Sequence, residues 1–322
     1  MKTLSMETQG TLNYVISRFN EPRLRIDPGE TIAVETEDAW SGQVRKKGDR
    51  RDYTTKPYGN PQSGPIYVNG ARDGDSLSIR IGEIKPRIGQ GATRTPSYWW
   101  YIGSTEAAAL QRFLSPNLPE KIRVCPIRDG KVHFSDNHEL PYEPFIGTIG
   151  TAPALESISS GNLGSHGGNM DLPDVRPGNT IHLPVYVDGA LLHLGDVHAI
   201  QGDGEITGNG VEMPSECTLT IDLCKGKTIP APRIESDEHI MAVGSSGIGR
   251  SLQDAIRIAY VQLVLWMEED YNMDRSDAFQ LCAQVGRLRL GNLWAVAAKF
   301  PKKYLKKTRP SLSQPQVILP IA

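Results

Sequence analysis

One stretch of the sequence concentrates side chains that can bind a metal ion or move a proton. It reads Gly195-Asp-Val-His-Ala-Ile-Gln-Gly-Asp-Gly-Glu205. Asp196 and His198 stand two residues apart in a segment with strand character, so both side chains point to the same face. A carboxylate oxygen and an imidazole nitrogen at one point suit a divalent metal. The glycines that follow allow a bent backbone, which could bring Asp203 and Glu205 to the same place. The alternative is a polar turn at a sheet edge, in which His198 is simply hydrogen-bonded.

A second polar cluster lies upstream, at His166-Gly-Gly-Asn-Met-Asp171. Its two glycines permit close approach of the backbone, and Asp171 could supply a further carboxylate ligand. Taken alone, this segment is typical of an ordinary loop. Together the two clusters hold two histidines and four carboxylates, a density that favours a metal or acid–base site.

Other conspicuous motifs favour structural interpretations. Gly244-Ser-Ser-Gly-Ile-Gly-Arg-Ser251 lacks the Lys-Ser/Thr ending of a phosphate loop and runs into a helical pattern, which indicates a glycine-rich helix entry. Tyr98-Trp-Trp-Tyr101 could line a pocket or pack in a core. The four cysteines form no Cys-x-x-Cys pair, which predicts free thiols: Cys125, Cys217, Cys224 and Cys282.

The elements that must position the polar clusters are short strands. From residue 1 to about 235, apolar or alternating runs are separated by Gly, Pro, Asn and Asp. Four of these runs are predicted strands: 31–36, 65–68, 76–81 and 180–187. This spacing predicts a mainly β fold, with a β-sandwich or barrel-like body over residues 1–235 that carries both polar clusters.

The hydrophobic period changes to that of a helix in the last third of the chain. Apolar residues recur at three- and four-residue intervals over residues 252–267, which predicts an amphipathic helix. Ser251 stands where an N-cap belongs, and Asp254 follows three residues later, as in a capping box.

A second, shorter helix is predicted to begin at Asp274 and to turn Ala278, Phe279 and Leu281 inward. Residues 286–298 have extended character, and a basic tail follows. Residues 236–322 are therefore predicted to form a smaller α/β section.

Charge and composition exclude several classes of partner. The 322 residues include 35 basic and 37 acidic side chains, a net charge of -2 that creates no field to attract nucleic acid or anionic lipid. No apolar run approaches the roughly 18 residues that span a bilayer. The first residues do not form a secretory signal. We therefore expect a cytoplasmic protein without nucleic-acid or membrane partners.

Several blocks, taken in one order, resemble the acetamidase/formamidase family. The resemblance covers residues 28–301 and is carried by the two polar clusters together with Glu35-Thr-Glu-Asp-Ala-Trp-Ser-Gly-Gln43, Asn60-Pro-Gln-Ser-Gly-Pro-Ile-Tyr-Val-Asn-Gly70, Gly150-Thr-Ala-Pro153 and the helix that contains Trp266. It implies a β-rich fold with a smaller α/β section, cytoplasmic location and hydrolysis of short amides to carboxylic acid and ammonia. It also implies a divalent metal, most commonly zinc, and a homo-oligomer, which we expect to be a dimer.

The resemblance also assigns roles to individual residues. It implies metal contacts from Asp171, Asp196 and His198. Glu205 is the expected general base, with His166 and Asp203 as further catalytic candidates. Two acids, Asp38 and Glu212, are expected near the substrate.

Departures from the family pattern leave two other functions open. Arg287 and Asn292 stand where the family pattern has an acid and a glutamine, and Ser63 replaces a threonine. An altered pocket would favour another C–N substrate, such as a larger amide, a urea-like compound or an N-formyl amine. The other possibility is a non-catalytic β-sandwich binding module with a structural metal. Only the two enzyme hypotheses predict release of ammonia or an amine.

Overall fold

Strands dominate the computed structural model, which describes residues 1–95 and 119–305. They account for 41 % of the residues, against 12 % for helices, so the predicted mainly β fold is confirmed. We number the strands β1–β21 and the two longer helices α1 and α2, in chain order within the described ranges. The aromatic run 98–101 lies outside these ranges.

The largest sheet of the described ranges has nine strands. Their spatial order is β1 (Lys2–Leu4), β4 (Glu30–Thr36), β17 (Ser215–Cys224), β6 (Ser76–Pro86), β15 (Thr180–Pro184), β18 (Arg233–Glu235), β19 (His239–Ser245), β21 (Ala295–Pro301) and β20 (Arg287–Leu290). This sheet runs across residue 235, because β18 pairs with β19. The division into sections at 235/236 stays a prediction.

A six-stranded sheet carries the polar clusters. Its order is β13 (Leu163–Gly164), β14 (Gly167–Asn169), β11 (Phe145–Gly150), β16 (Leu192–His198), β5 (Gln62–Val68) and β3 (Leu24–Ile26). Two smaller sheets complete the described strands: β10 (His138–Pro141), β9 (Lys131–Ser135), β8 (Lys121–Arg128) and β7 (Gln90–Thr95) in one, and β12 (Ser157–Ser159) with β2 (Val15–Ser17) in the other. The main apolar core joins side chains from the nine- and six-stranded sheets.

Two helices form a second core against β19 and β21. They are α1 (Leu252–Tyr271) and α2 (Arg275–Val285), and a short 3-10 turn follows at Lys302–Tyr304. Ser251 caps α1 as predicted, since its side chain accepts a hydrogen bond from the backbone N–H of Gln253. Asp254 does not complete a capping box, because its carboxylate pairs with Arg257 instead. No helix in the described ranges is long and apolar enough to cross a membrane.

Two local predictions need correction. Phe279 was expected to point inward, but it is 67 % exposed. The buried face of α2 is formed by Ala278 and Cys282, and Phe279 lies about 100° around the helix from Ala278. The strand predicted over 180–187 ends at Pro184, which has no N–H with which to continue the ladder.

Candidate metal and catalytic centre

The centre is built on β16, which lies between β11 and β5 and is buried along its whole length. The side chains of Asp196 and His198 on this strand approach each other to 3.5 Å. The backbone at Asp196 has a φ of 56°, a left-handed conformation that is uncommon for any residue with a side chain. The His198 ring packs nearly perpendicular to Phe145 of the neighbouring strand, with ring centroids 5.1 Å apart.

Asp171 approaches the same point from the segment that follows β14. Its backbone N–H donates to the carbonyl of Gly147 on β11, and its φ is 49°. A Cβ at Gly147 would lie 2.6 Å from Asp171 Oδ1 and 2.5 Å from the carbonyl of Asp196. Glycine at this position is therefore what allows the two acids to converge.

The loop after β16 returns two further acids to the cluster. Glu205 sits in a tight turn with a φ of 46°, and Glu212 pairs with His198 and Ala92 as isolated β-bridges. Glu212 Oε1 accepts a hydrogen bond from the backbone N–H of Gly210. Backbone strain at non-glycine residues tends to occur at functional sites, and three acids of this cluster show it.

The five side chains meet in a buried group. His198 Nε2 lies 3.1 Å from Glu212 Oε2 and 3.5 Å from Asp196 Oδ1. Potential ligand atoms of Asp171, Asp196 and His198 all lie within 4.8 Å of one another, and the same holds for His198, Glu205 and Glu212. Relative exposure does not exceed 7 % for any of the five.

Gln201 connects the histidine to the Asp171 segment. Its Nε2 donates to the carbonyl of Asp171 at 3.0 Å, which fixes the amide orientation, and its Oε1 faces His198 Nδ1 at 2.7 Å. A carbonyl oxygen only accepts, so Nδ1 carries a proton and Nε2 faces the carboxylates. This outer hydrogen bond orients a histidine for metal binding.

Each aspartate is held by neutral donors. Asp196 Oδ2 accepts from the Thr148 hydroxyl at 3.2 Å and from Asn60 Nδ2 at 3.3 Å. Asp171 Oδ2 accepts from Asn292 Nδ2 at 3.0 Å. Asn292 lies between β20 and β21, so the C-terminal hairpin contributes directly to the centre.

Burial and the repulsion between neighbouring carboxylates shift the pKa values of the clustered acids. They raise the pKa of Asp171 and Glu205 well above the usual values, and burial raises the pKa of Glu212 to about 7. Burial opposes the charged form of Asp196 too, but its close polar contact with His198 holds its pKa below the ordinary value. Burial also opposes protonation of His198, yet the carboxylates of Glu212 and Asp196 outweigh it and raise the pKa of this histidine.

The residues present fit a divalent metal. Asp171 Oδ1, His198 Nε2 and Glu212 Oε2 are buried and make no hydrogen bond among the described residues, although the last two atoms lie 3.1 Å apart. Within residues 1–95 and 119–305, no lysine or arginine nitrogen lies within 4 Å of the four carboxylates. A cation would offset the buried negative charge, and mixed carboxylate and imidazole donors are those of known zinc sites.

Comparison with known proteins identifies the family. The family model described as "Acetamidase/Formamidase family" matches residues 20–163 and 158–247. The chain belongs to this family.

Solved structures of named acetamidases support the assignment over nearly the whole chain. The chain aligns with an acetamidase from Yersinia enterocolitica at 38 % identity and a TM-score of 0.87, covering 95 % of this chain and 93 % of that one. An acetamidase from Bacillus halodurans aligns at 32 % identity with a TM-score of 0.83, covering 94 % of this chain and 98 % of that one. An acetamidase from Mycolicibacterium smegmatis is 27 % identical over 62 % of this chain and 63 % of its own length. The match thus spans about three fifths of the curated relatives.

Three residues that the family resemblance placed at or near the site are not among the five side chains of the cluster, and two of them are paired with arginines. Asp203 is about half exposed and pairs with Arg289 at 2.9 Å. Asp38 is buried, but its carboxylate accepts from two backbone N–H groups of its own turn and pairs with Arg45. His166 is buried, its Nε2 makes no hydrogen bond among the described residues, and burial lowers its pKa to about 4.

The residues that orient the potential metal ligands were not predicted from the sequence. Gln201 lies within the segment 195–205, and Asn292 was identified only as a departure from the family pattern. Asn60 opens a block that carries the family resemblance, but no role was assigned to it. Thr148 had no signal beyond its polar character, because only the pairing of β11 with β16 places it beside Asp196. Glu212 was expected near the substrate, and the structure places it in direct contact with His198.

Proposed function

We propose that this protein hydrolyses the C–N bond of small linear amides of the acetamide and formamide type, giving a carboxylic acid and ammonia. The observation that carries the proposal is the convergence of four carboxylates and one histidine in a buried centre, in which three potential ligand atoms make no hydrogen bond among the described residues. The names of the related acetamidases support it. Water must add to the carbonyl carbon, the C–N bond must break, and the nitrogen must leave with a proton.

Asp171, Asp196 and His198 would hold the metal ion. When bound, it would supply Lewis-acid polarisation of the amide carbonyl and make water more acidic. Gln201 keeps His198 in the tautomer that such a role requires, while Thr148 and Asn60 orient Asp196.

Glu205 is the group that we assign to proton transfer. No hydrogen bond of its side chain occurs in the part of the chain that the structure describes, so the carboxylate is available to a substrate or a water molecule. It would accept a proton from the attacking water and deliver it to the leaving nitrogen. A carboxylate positioned beside the reacting groups can act as a general acid–base catalyst in this way.

The test is ammonia release from formamide, acetamide and propionamide by the wild type and by Glu205→Gln. We expect the variant to keep its fold and its metal and to lose about 10²–10⁴-fold in turnover. Glu83→Gln, the same chemical change at an exposed position of β6, is the matched control and should keep its rate. A near-normal rate in Glu205→Gln removes this residue from the proton-transfer role.

The identity of the metal, the assembly and the cellular location belong to the same proposal. The family resemblance favours zinc, a homodimer and the cytoplasm. Elemental analysis of the purified protein tests the identity of the metal. Sedimentation equilibrium tests the homodimer, and cell fractionation tests the location.

A further inference from the structure

A cavity of about 310 Å³ opens beside the proposed general base. Glu205 and Gln201 form its wall on the side of the buried centre. Most of the remaining surface is apolar and comes from β9, β10 and the segment that follows β16. The side chains are Phe134, Leu140, Ile200, Ile206 and Val211. The cavity is therefore continuous with the site at which the amide would react.

The polar groups on the wall are already used within the protein. Asn209 accepts from Thr93 Oγ1 and from the backbone N–H of Arg94, and its amide donates to two carbonyls. Thr207 donates to the carbonyl of Asn209. Gln201 bridges His198 and the Asp171 segment. Asp203 also lines the cavity, and its carboxylate pairs with Arg289 at 2.9 Å. Among the described residues, the lining thus presents an apolar surface and one side chain without a polar partner, Glu205.

The size of the cavity exceeds what formamide or acetamide can fill. One water molecule occupies about 30 Å³ in the liquid, so 310 Å³ corresponds to about ten water-sized groups. Acetamide has four non-hydrogen atoms. An amide with the head group at Glu205 would leave room for several further carbon atoms along the apolar wall.

We propose that this cavity is an acyl-chain pocket and that the preferred substrates are primary amides with an aliphatic acyl group of about four to six carbons. The inference rests on the proposed amide hydrolysis and names its substrate class. Each added methylene that reaches the apolar wall should raise kcat/KM about fourfold until the cavity is full, since burial of one methylene contributes a corresponding amount.

The first measurement is kcat/KM for formamide, acetamide, butyramide and hexanamide, followed as ammonia release. Ile206 lines the cavity and is 58 % exposed, so Ile206→Trp narrows the pocket without replacing a buried side chain. The variant should lower the ratio of hexanamide to formamide kcat/KM by more than about tenfold. Ile258→Trp, an equal change at a partly exposed position on α1, should leave the series unaltered.

A binding experiment separates the pocket from the reaction. Calorimetric titration of Glu205→Gln with the same amides measures affinity when turnover is lost. Tighter binding of hexanamide than of acetamide, abolished by adding Ile206→Trp, supports the pocket whether or not the wild type hydrolyses any amide. Affinities that do not increase with chain length overturn it. Absence of turnover with every amide refutes the proposed function alone.

Discussion

Gly291 lies where the β20–β21 hairpin contacts the candidate centre. Replacing it with alanine should lower both the stability of the protein and its rate of amide hydrolysis. A Cβ at this position would lie 1.9 Å from the carbonyl oxygen of Met170, whereas ordinary contact begins near 3.4 Å, so the tip must withdraw by about 1.5 Å. The neighbouring Asn292 donates to Asp171 at 3.0 Å and would move with the tip. Gly204, next to Glu205, donates its N–H to the carbonyl of Gly291.

The magnitude follows from these contacts. Overpacking typically costs about 1–3 kcal/mol, and loss of a hydrogen bond to a buried carboxylate about 1.5–3 kcal/mol. We therefore expect Gly291→Ala to lower the free energy of unfolding by about 2.5–6 kcal/mol. A displacement on the order of 1 Å can reduce a rate by about 10²-fold, which is the loss in kcat/KM for acetamide that we expect.

Chemical denaturation and ammonia release measure the two effects. Gly161→Ala is the matched control, because its φ is ordinary and the nearest atom to the added methyl is at 4.0 Å. It should keep wild-type stability and turnover. If Gly291→Ala loses stability but keeps its rate within twofold, the hairpin does not position the reacting groups. Wild-type values for both would refute the packing argument itself.

Three further predictions follow from single contacts. Gln201→Leu removes the partner of His198 Nδ1, so metal affinity measured by competition with a chelator should fall about 10–100-fold, and unchanged affinity excludes a positioning role. Burial lowers the pKa of His193 from 6.5 to about 4, so the unfolded chain takes up this proton first as the pH falls. The stability contributed by neutral His193 is full above pH 6.5 and lost toward pH 4, by about 2 kcal/mol at pH 5. His193→Gln should therefore show a smaller loss of stability between pH 8 and pH 5 than the wild type, and an equal loss contradicts the argument. Ser251→Ala should lower the free energy of unfolding by about 1 kcal/mol through loss of the α1 cap, and a denaturation midpoint equal to the wild type contradicts this.

Local pattern was sufficient to predict the elements that carry the centre. The two-residue spacing of Asp196 and His198 predicts that they share a face, and in the structure the two side chains lie 3.5 Å apart. The change of period at residue 252 predicts α1, and the cap at Ser251 fixes its first residue. These predictions succeed because each depends on contacts within a few residues.

Predictions that depend on tertiary contacts were incomplete. Asp203 and Glu205 are two residues apart in one glycine-rich turn, yet the left-handed backbone at Glu205 turns only this side chain inward. Asn292 reaches Asp171 across 121 residues of sequence through the β20–β21 hairpin, which a linear pattern does not reveal. The inward direction of Phe279 failed because apolar character alone did not identify the buried face of α2.

The central claim is that the buried carboxylate–histidine centre hydrolyses amides with the help of a metal held by its own side chains. The most direct measurement is acetamide hydrolysis by the wild type and by His198→Ala, before chelation, after chelation and after return of one equivalent of Zn²⁺. The account predicts that chelation abolishes turnover in the wild type, that zinc restores it, and that His198→Ala remains inactive throughout. Full turnover in a chelated protein without detectable metal would contradict it.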